Sequence, residues 1–189
     1  MKNFKIILIL INLLIFTACS TVKTVPKYEK KDNVTWKEVK PPVIVLDLEP
    51  GDIIVKEKTL NPIGMFGHVA VMKNDRIIVD YPKLGNKSYT IDIDYWLEEG
   101  RDILVLRYKD MNDEFKKRLV KNMEKYFGKD YRISSDRMNT EGFYCSQYIW
   151  YIYYITAQEM GFELDLDSDG GSFVLPYDFI NSPYLEIVN

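Results

Sequence analysis

Two cysteines and one histidine are all that the 189 residues hold. Cys19 and Cys145 are too few for a disulfide framework. One cysteine and one histidine cannot close a structural zinc site without carboxylates, so neither a metal nor any other cofactor is expected. Basic charge is not in excess either, with 25 Lys and Arg against 28 Asp and Glu, which argues against a nucleic-acid partner. The longest nearly pure apolar run, residues 6–16, is too short to span a bilayer. No internal repeat is visible.

That apolar run follows Lys2 and Lys5 and is closed by Thr17, Ala18 and Cys19, the layout of an export signal. The tail Ile15-Phe16-Thr17-Ala18-Cys19 resembles a bacterial lipobox, with Phe16 where leucine is usual. The resemblance implies cleavage before Cys19, acylation of Cys19, and anchoring to a bilayer of the bacterial cell envelope. An ordinary cleaved signal and an uncleaved anchor are the alternatives, and all three export the domain. The expected division is a signal over 1–18, a tether over 19–42 rich in Lys, Thr, Pro and Glu, and one domain over 43–189. Cys145 is then the one unmodified thiol of the mature chain. In an oxidising envelope a free thiol is a liability unless it is buried or used.

Within the domain, residues 43–46 and 53–55 read as strands around the turn Glu49-Pro50-Gly51-Asp52. Residues 67–72 and 76–81 read as a hairpin around Lys73-Asn74-Asp75. A further strand is expected at 102–108, with a short helix at 94–99 before it. Phe115, Leu119, Met123 and Phe127 recur every four positions and Gly128 follows, which predicts a surface helix over 112–127 with one buried stripe. Residues 146–160 have hardly any polar face, the mark of a helix buried in mid-domain. A short helix after Pro176 and a strand at 184–188 complete an α+β domain with an antiparallel sheet.

Cys145 stands at the start of the buried helix, where unpaired backbone N–H groups favour a thiolate. The general base such a nucleophile needs can only be His68. A three-residue loop at 73–75 pairs Met72 with Arg76 and hence His68 with Asp80, close enough for the carboxylate to orient the ring. The plainer readings are a core thiol, an incidental sheet histidine, and an acid serving the turn before Pro82. Asp165, Asp167, Asp169 and Gly170 resemble half of a calcium loop, but the twelfth position is Pro176, which favours a solvated acidic turn. The aromatic run 148–154 fits a buried helix better than a sugar-stacking or lipid-facing surface.

Taken together, Pro50-Gly51-Asp52-Ile53-Ile54, Gly67-His68-Val69-Ala70-Val71, Tyr144-Cys145-Ser146-Gln147 and Pro176-Tyr177-Asp178-Phe179 resemble the permuted NlpC/P60 papain-like family, the YiiX/YaeF-like group. The resemblance spans roughly residues 48–188. It implies a circularly permuted papain-like fold, an antiparallel sheet or small barrel packed on helices, with the histidine ahead of the cysteine in the chain. It also implies Cys145 as nucleophile, His68 as base, and Asp80 as orienting residue where many relatives have glutamate. Tyr131 would match an aromatic residue near the oxyanion site, or else only pack on the helix. The activity implied is hydrolysis of an amide, as in cell-wall peptides, through a thioester. A lipid-directed acyltransferase or thioesterase and a non-catalytic envelope binding protein are the alternatives.

Overall fold

The structure, a computed structural model, describes residues 34–41, 46–61 and 64–188. The expected signal, Cys19, and most of the first expected strand lie outside them. Six strands form one antiparallel sheet in the order β4-β3-β2-β1-β5-β8. They are β1 (Ile53–Lys56), β2 (His68–Met72), β3 (Ile77–Asp80), β4 (Tyr89–Asp92), β5 (Ile103–Tyr108) and β8 (Leu185–Ile187). Among the described residues no ladder joins β4 to β8, so the sheet is open rather than a closed barrel. Two-residue strands β6 (Asp130–Tyr131) and β7 (Gly142–Phe143) pair in parallel beside it.

Both faces of the central strands are buried, which is why β1 reads as a continuous apolar run instead of alternating. One face, with Ile53, Val55, Val69, Val71 and Leu104, packs on helices α2 (Asp113–Lys125) and α3 (Cys145–Glu159). The other face, with Ile54, Ala70, Met72 and Ile78, packs on the short helix α1 (Ile93–Trp96) and Leu97. A last short helix, α4 (Asp178–Asn181), precedes β8. No described helix is long and apolar enough to cross a membrane.

Helix α2 starts where the Asn112 side chain accepts from the Phe115 amide. Phe115, Leu119 and Met123 are its buried stripe, as the spacing predicts, but Phe127 lies past the helix end and is exposed. Asn122 is buried in addition, donating to Thr156 Oγ1 at 3.0 Å. Helix α3 is apolar around its circumference because it is enclosed by the sheet, α2 and the C-terminal segment. Its aromatic run is core: Tyr148, Trp150, Tyr151 and Tyr153 are all buried. The Tyr148 hydroxyl donates to the Met123 carbonyl and that of Tyr153 to the Gly51 carbonyl, so α3 is tied to both α2 and the turn before β1.

That turn explains the Pro50-Gly51-Asp52 motif as structural. Gly51 has φ +96°, and a Cβ there would lie 2.8 Å from the Met111 side chain and 3.0 Å from Leu119. Asp52 is buried and is held bidentately by Arg107 of β5, both contacts at 2.8 Å. The turn therefore joins β1, β5, α2 and α3.

Candidate active site

His68 opens β2 immediately after Gly67. Gly67 has φ +79°, and a Cβ on it would lie 2.9 Å from the Tyr177 ring and 3.2 Å from the Lys56 carbonyl. Glycine is required for the tyrosine to lie against the start of the strand. The Tyr177 hydroxyl accepts from the Lys58 amide at 2.9 Å. The Gly67-His68 and Pro176-Tyr177 motifs are thus one packing unit.

The β2–β3 ladder pairs Val71 with Val79 and Met72 with Ile78, not Met72 with Arg76. The register departs from the expected one by two residues because the turn is longer. Asn74 Oδ1 accepts from the amides of both Arg76 and Ile77, and the Lys73 amide donates to the Ile77 carbonyl. A slip of two keeps every side chain on its face. His68 and Asp80 therefore still share one, as diagonal rather than directly opposed neighbours, with His68 Nε2 2.8 Å from Asp80 Oδ1.

Asp80 is buried and fully occupied. Its Oδ2 accepts from the Tyr89 hydroxyl and from Trp96 Nε1, each at 3.0 Å. Burial pushes its pKa up, but the His68 charge and these donors outweigh burial and hold the carboxyl below its ordinary value. The Trp96 ring also lies beside His68, centroids 5.9 Å apart. Behind it, Lys56 sits directly across the β1–β2 ladder from His68. Its buried ammonium donates to the Trp96 carbonyl at 2.6 Å and to Glu99 at 3.0 Å, and lies 3.8 Å from the centre of the Trp96 ring. Burial lowers the lysine pKa, against the opposing pull of Glu99 and Asp80. Tyr89, Trp96 and Lys56 were not identified from the sequence. They become site residues only once β4, α1 and β1 are arrayed around Asp80.

Cys145 is the first residue of α3 and only 8% exposed. No side chain caps this helix start and no acid lies in its first turn, so its own carboxylates leave the partial positive charge of the amides unneutralised. Flanking residues clamp the helix start to the C-terminal segment. The Tyr144 hydroxyl accepts from the Val174 amide at 3.0 Å, and Ser146 Oγ donates to the Val174 carbonyl at 2.7 Å.

His68, Tyr131 and Cys145 line one cavity of about 590 Å³. His68 is 17% exposed. Burial alone would disfavour its charge, yet the Asp80 carboxylate and the Cys145 sulfur together raise its pKa from 6.5 to about 10. With Nε2 turned to Asp80, Nδ1 is the ring atom left for the sulfur. Tyr131, on β6, has its phenol ionisation pushed up by burial and then by the nearby Cys145.

The acidic turn is built differently from a solvated loop, since Asp167 and Asp178 are buried. Among the described residues, Asp167, Asp169 and Asp178 form the one set of three potential metal ligands whose atoms gather within 4.8 Å. One oxygen of each accepts from a backbone amide, while Asp167 Oδ2 is buried without a hydrogen-bond donor and meets Arg137 only as an ion pair. Asp167 accepts from the Asp169 amide and faces Arg137 at 2.9 Å, Asp169 accepts from the Gly171 amide, and Asp178 from the Leu175 amide. Asp165 lies outside that set, its Oδ1 accepting from the Trp150 indole and from the Asp167 amide. This is the bonding of an arginine-neutralised turn, and burial raises Asp167 to about 6 and Asp178 to about 7.

No family model and no curated protein matches the sequence. Among solved structures, the fold is similar to that of the metalloprotein YiiX from Escherichia coli O157:H7. The TM-score is 0.55 at 16% identity, over 75% of this chain and 96% of that one. At that identity the likeness concerns the fold, a YiiX-like α+β arrangement.

Proposed function

We propose that this protein is a cysteine hydrolase, of permuted papain-like arrangement, that cleaves an amide through a thioester. The observation that carries the reading is the placement of the sole histidine: one ring nitrogen is bonded to a buried carboxylate, and the sulfur at the start of α3 shares its cavity. A thiol sharing a cavity with an imidazole that a carboxylate orients is the arrangement of a Cys-His nucleophile.

The steps follow from these groups. Cys145 Sγ attacks the substrate carbonyl carbon, and the resulting oxyanion is met by the Cys145 amide at the helix start, with Tyr131 on the cavity wall beside it. His68 gives its proton to the leaving nitrogen, the C–N bond breaks, and the acyl group stays on sulfur. A water molecule then gives a proton to His68 as it attacks the thioester carbon, and the C–S bond breaks to release the acid. Asp80 keeps the ring oriented throughout. Loss of one oxyanion donor costs about 2.7–4 kcal/mol in such reactions.

The location proposed is the bacterial envelope, with residues 1–18 removed and the lipidated Cys19 joined to the domain by a tether to residue 42. The test is intact-mass analysis after exposure of the Cys19→Ser full chain to an activated acyl amide. One acyl adduct on Cys145, absent from Cys145→Ser and formed far more slowly in His68→Ala, is expected. Equal labelling with and without the imidazole would leave a binding protein that keeps the fold without the reaction.

A further inference from the structure

We infer that Lys56 is a positioning residue for the proposed reaction: by gripping Trp96 it holds the indole N–H on Asp80, and so keeps in place the carboxylate that orients His68. This rests on the hydrolase reading above and adds to it a residue that acts at one remove, through Trp96 and Asp80. Lys56 lies directly across the β1–β2 ladder from His68, and directly opposed residues send their side chains to the same face of a sheet. The lysine is 3% exposed, while Glu99, the carboxylate it pairs with, is 63% exposed. A largely solvated partner repays little of the cost of taking an ammonium out of water, so that pair does not account for the burial.

The ammonium meets Trp96 twice. Nζ donates to the Trp96 carbonyl at 2.6 Å and sits 3.8 Å from the centre of its ring. Helix α1 is a single turn of 4 residues, too short to hold its own orientation, and its last carbonyls lack helical partners. At its start, Asp92 and Asp94 are tied down by Arg76, each at 2.8 Å. At its end, the Trp96 carbonyl is met by Lys56. With that end fixed, the indole lies beside the His68 ring and its Nε1 reaches Asp80 Oδ2 at 3.0 Å. The other carboxylate oxygen, Oδ1, is the one bonded to His68 Nε2, at 2.8 Å. The contacts thus run without a gap from Lys56 through Trp96 and Asp80 to His68. Methionine at position 56 would fill much the same volume, but it would leave the carbonyl unpaired and the ring without its cation, so what the site requires there is a charged donor.

The test uses the Cys19→Ser full chain and two readouts. One is the rate of Cys145 alkylation by iodoacetamide at pH 7 relative to His68→Ala, and the other is the downfield proton NMR signal of the His68 Nε2–H bonded to Asp80. A thiol at its ordinary pKa is about 3% ionised at pH 7, so complete loss of the pairing slows alkylation by at most about thirtyfold. Lys56→Met is expected to be slower by at least about fivefold, and its Nε2–H signal to broaden or move upfield while circular dichroism shows a folded protein. A lysine that only stabilised the fold would leave both readouts of the folded protein unchanged. Trp96→Phe keeps the backbone carbonyl and the aromatic bulk but removes the donor, and should show the same loss. Because Lys56 acts through that donor, Lys56→Met in the Trp96→Phe background should add less than about twofold. Lys56→Gln, polar but neutral, is read the same way if Lys56→Met does not fold. A folded Lys56 variant with wild-type rate and signal, or losses that multiply in the double variant, would overturn the inference and leave the hydrolase standing. Alkylation of the parent chain indifferent to His68 would instead end the hydrolase reading, and the NMR signal would still decide whether Lys56 sets the Asp80–His68 contact.

Discussion

Asp80→Asn isolates the charge on which the proposed ion pair depends. The amide oxygen can still accept from His68 Nε2, so ring orientation is retained while the negative charge is lost. At about 4 Å and an effective dielectric of about 20, a unit charge is worth roughly 4 kcal/mol, or about three pKa units. That is most of the rise of His68 from 6.5 to about 10, so the variant should titrate near pH 7. The sign follows from the raised value. His68 contributes stability that is fully present below pH 6.5 and fades as pH climbs through about 10, and in Asp80→Asn this contribution should nearly vanish. Because the chain has one histidine, an imidazole-labelled sample gives a single titrating NMR signal with no assignment problem. Equal midpoints in wild type and variant would refute the electrostatic account of His68. The substitution also turns an amide N–H₂ toward the Tyr89 and Trp96 donors, so a stability loss of about 1–3 kcal/mol should accompany it.

Trp96→Phe keeps the aromatic bulk but deletes one donor to Asp80, and chemical denaturation should show a loss of about 1–3 kcal/mol. Arg107→Met leaves Asp52 buried without its bidentate partner, with an expected cost of about 3–5 kcal/mol in urea unfolding. Asp167 and Asp178 have folded values raised above 3.8, so their contribution is present below that pH and is lost as pH rises through about 6 and about 7 respectively. Unfolding free energy measured from pH 4 to 7.5 should therefore decline less steeply in Asp178→Asn than in wild type.

The candidate pair, His68 and Cys145, was legible because its residue types are so rare. With one histidine, and Cys145 the one cysteine beyond the expected signal and tether, the sequence left no choice of candidates, and the apolar run after Cys145 located it at a helix start. Asp80 was legible for an incomplete reason. The turn length was underestimated, since Asn74 bonding to two amides is a tertiary detail, but a two-residue slip leaves the facing side chains on the same side of the sheet. Phe127 was misplaced because a four-residue recurrence says nothing about where the helix stops. The Tyr89, Trp96 and Lys56 support of Asp80 was not legible, because it depends on three elements from separate parts of the chain meeting on one sheet face. The two-residue β6 and β7 carry too short a pattern to register. Much of the wall of the cavity that His68 and Cys145 line was hidden for a related reason: Phe66, Leu84, Ile133 and Phe173 lie in segments with no periodicity, and only folding brings them together.

The most direct test is the rate of Cys145 alkylation by iodoacetamide across pH 5 to 11 in the Cys19→Ser chain, where Cys145 is the one remaining thiol, with and without His68→Ala. The account predicts a reactive plateau through neutral pH that disappears when the imidazole is removed. Superimposable profiles would contradict it.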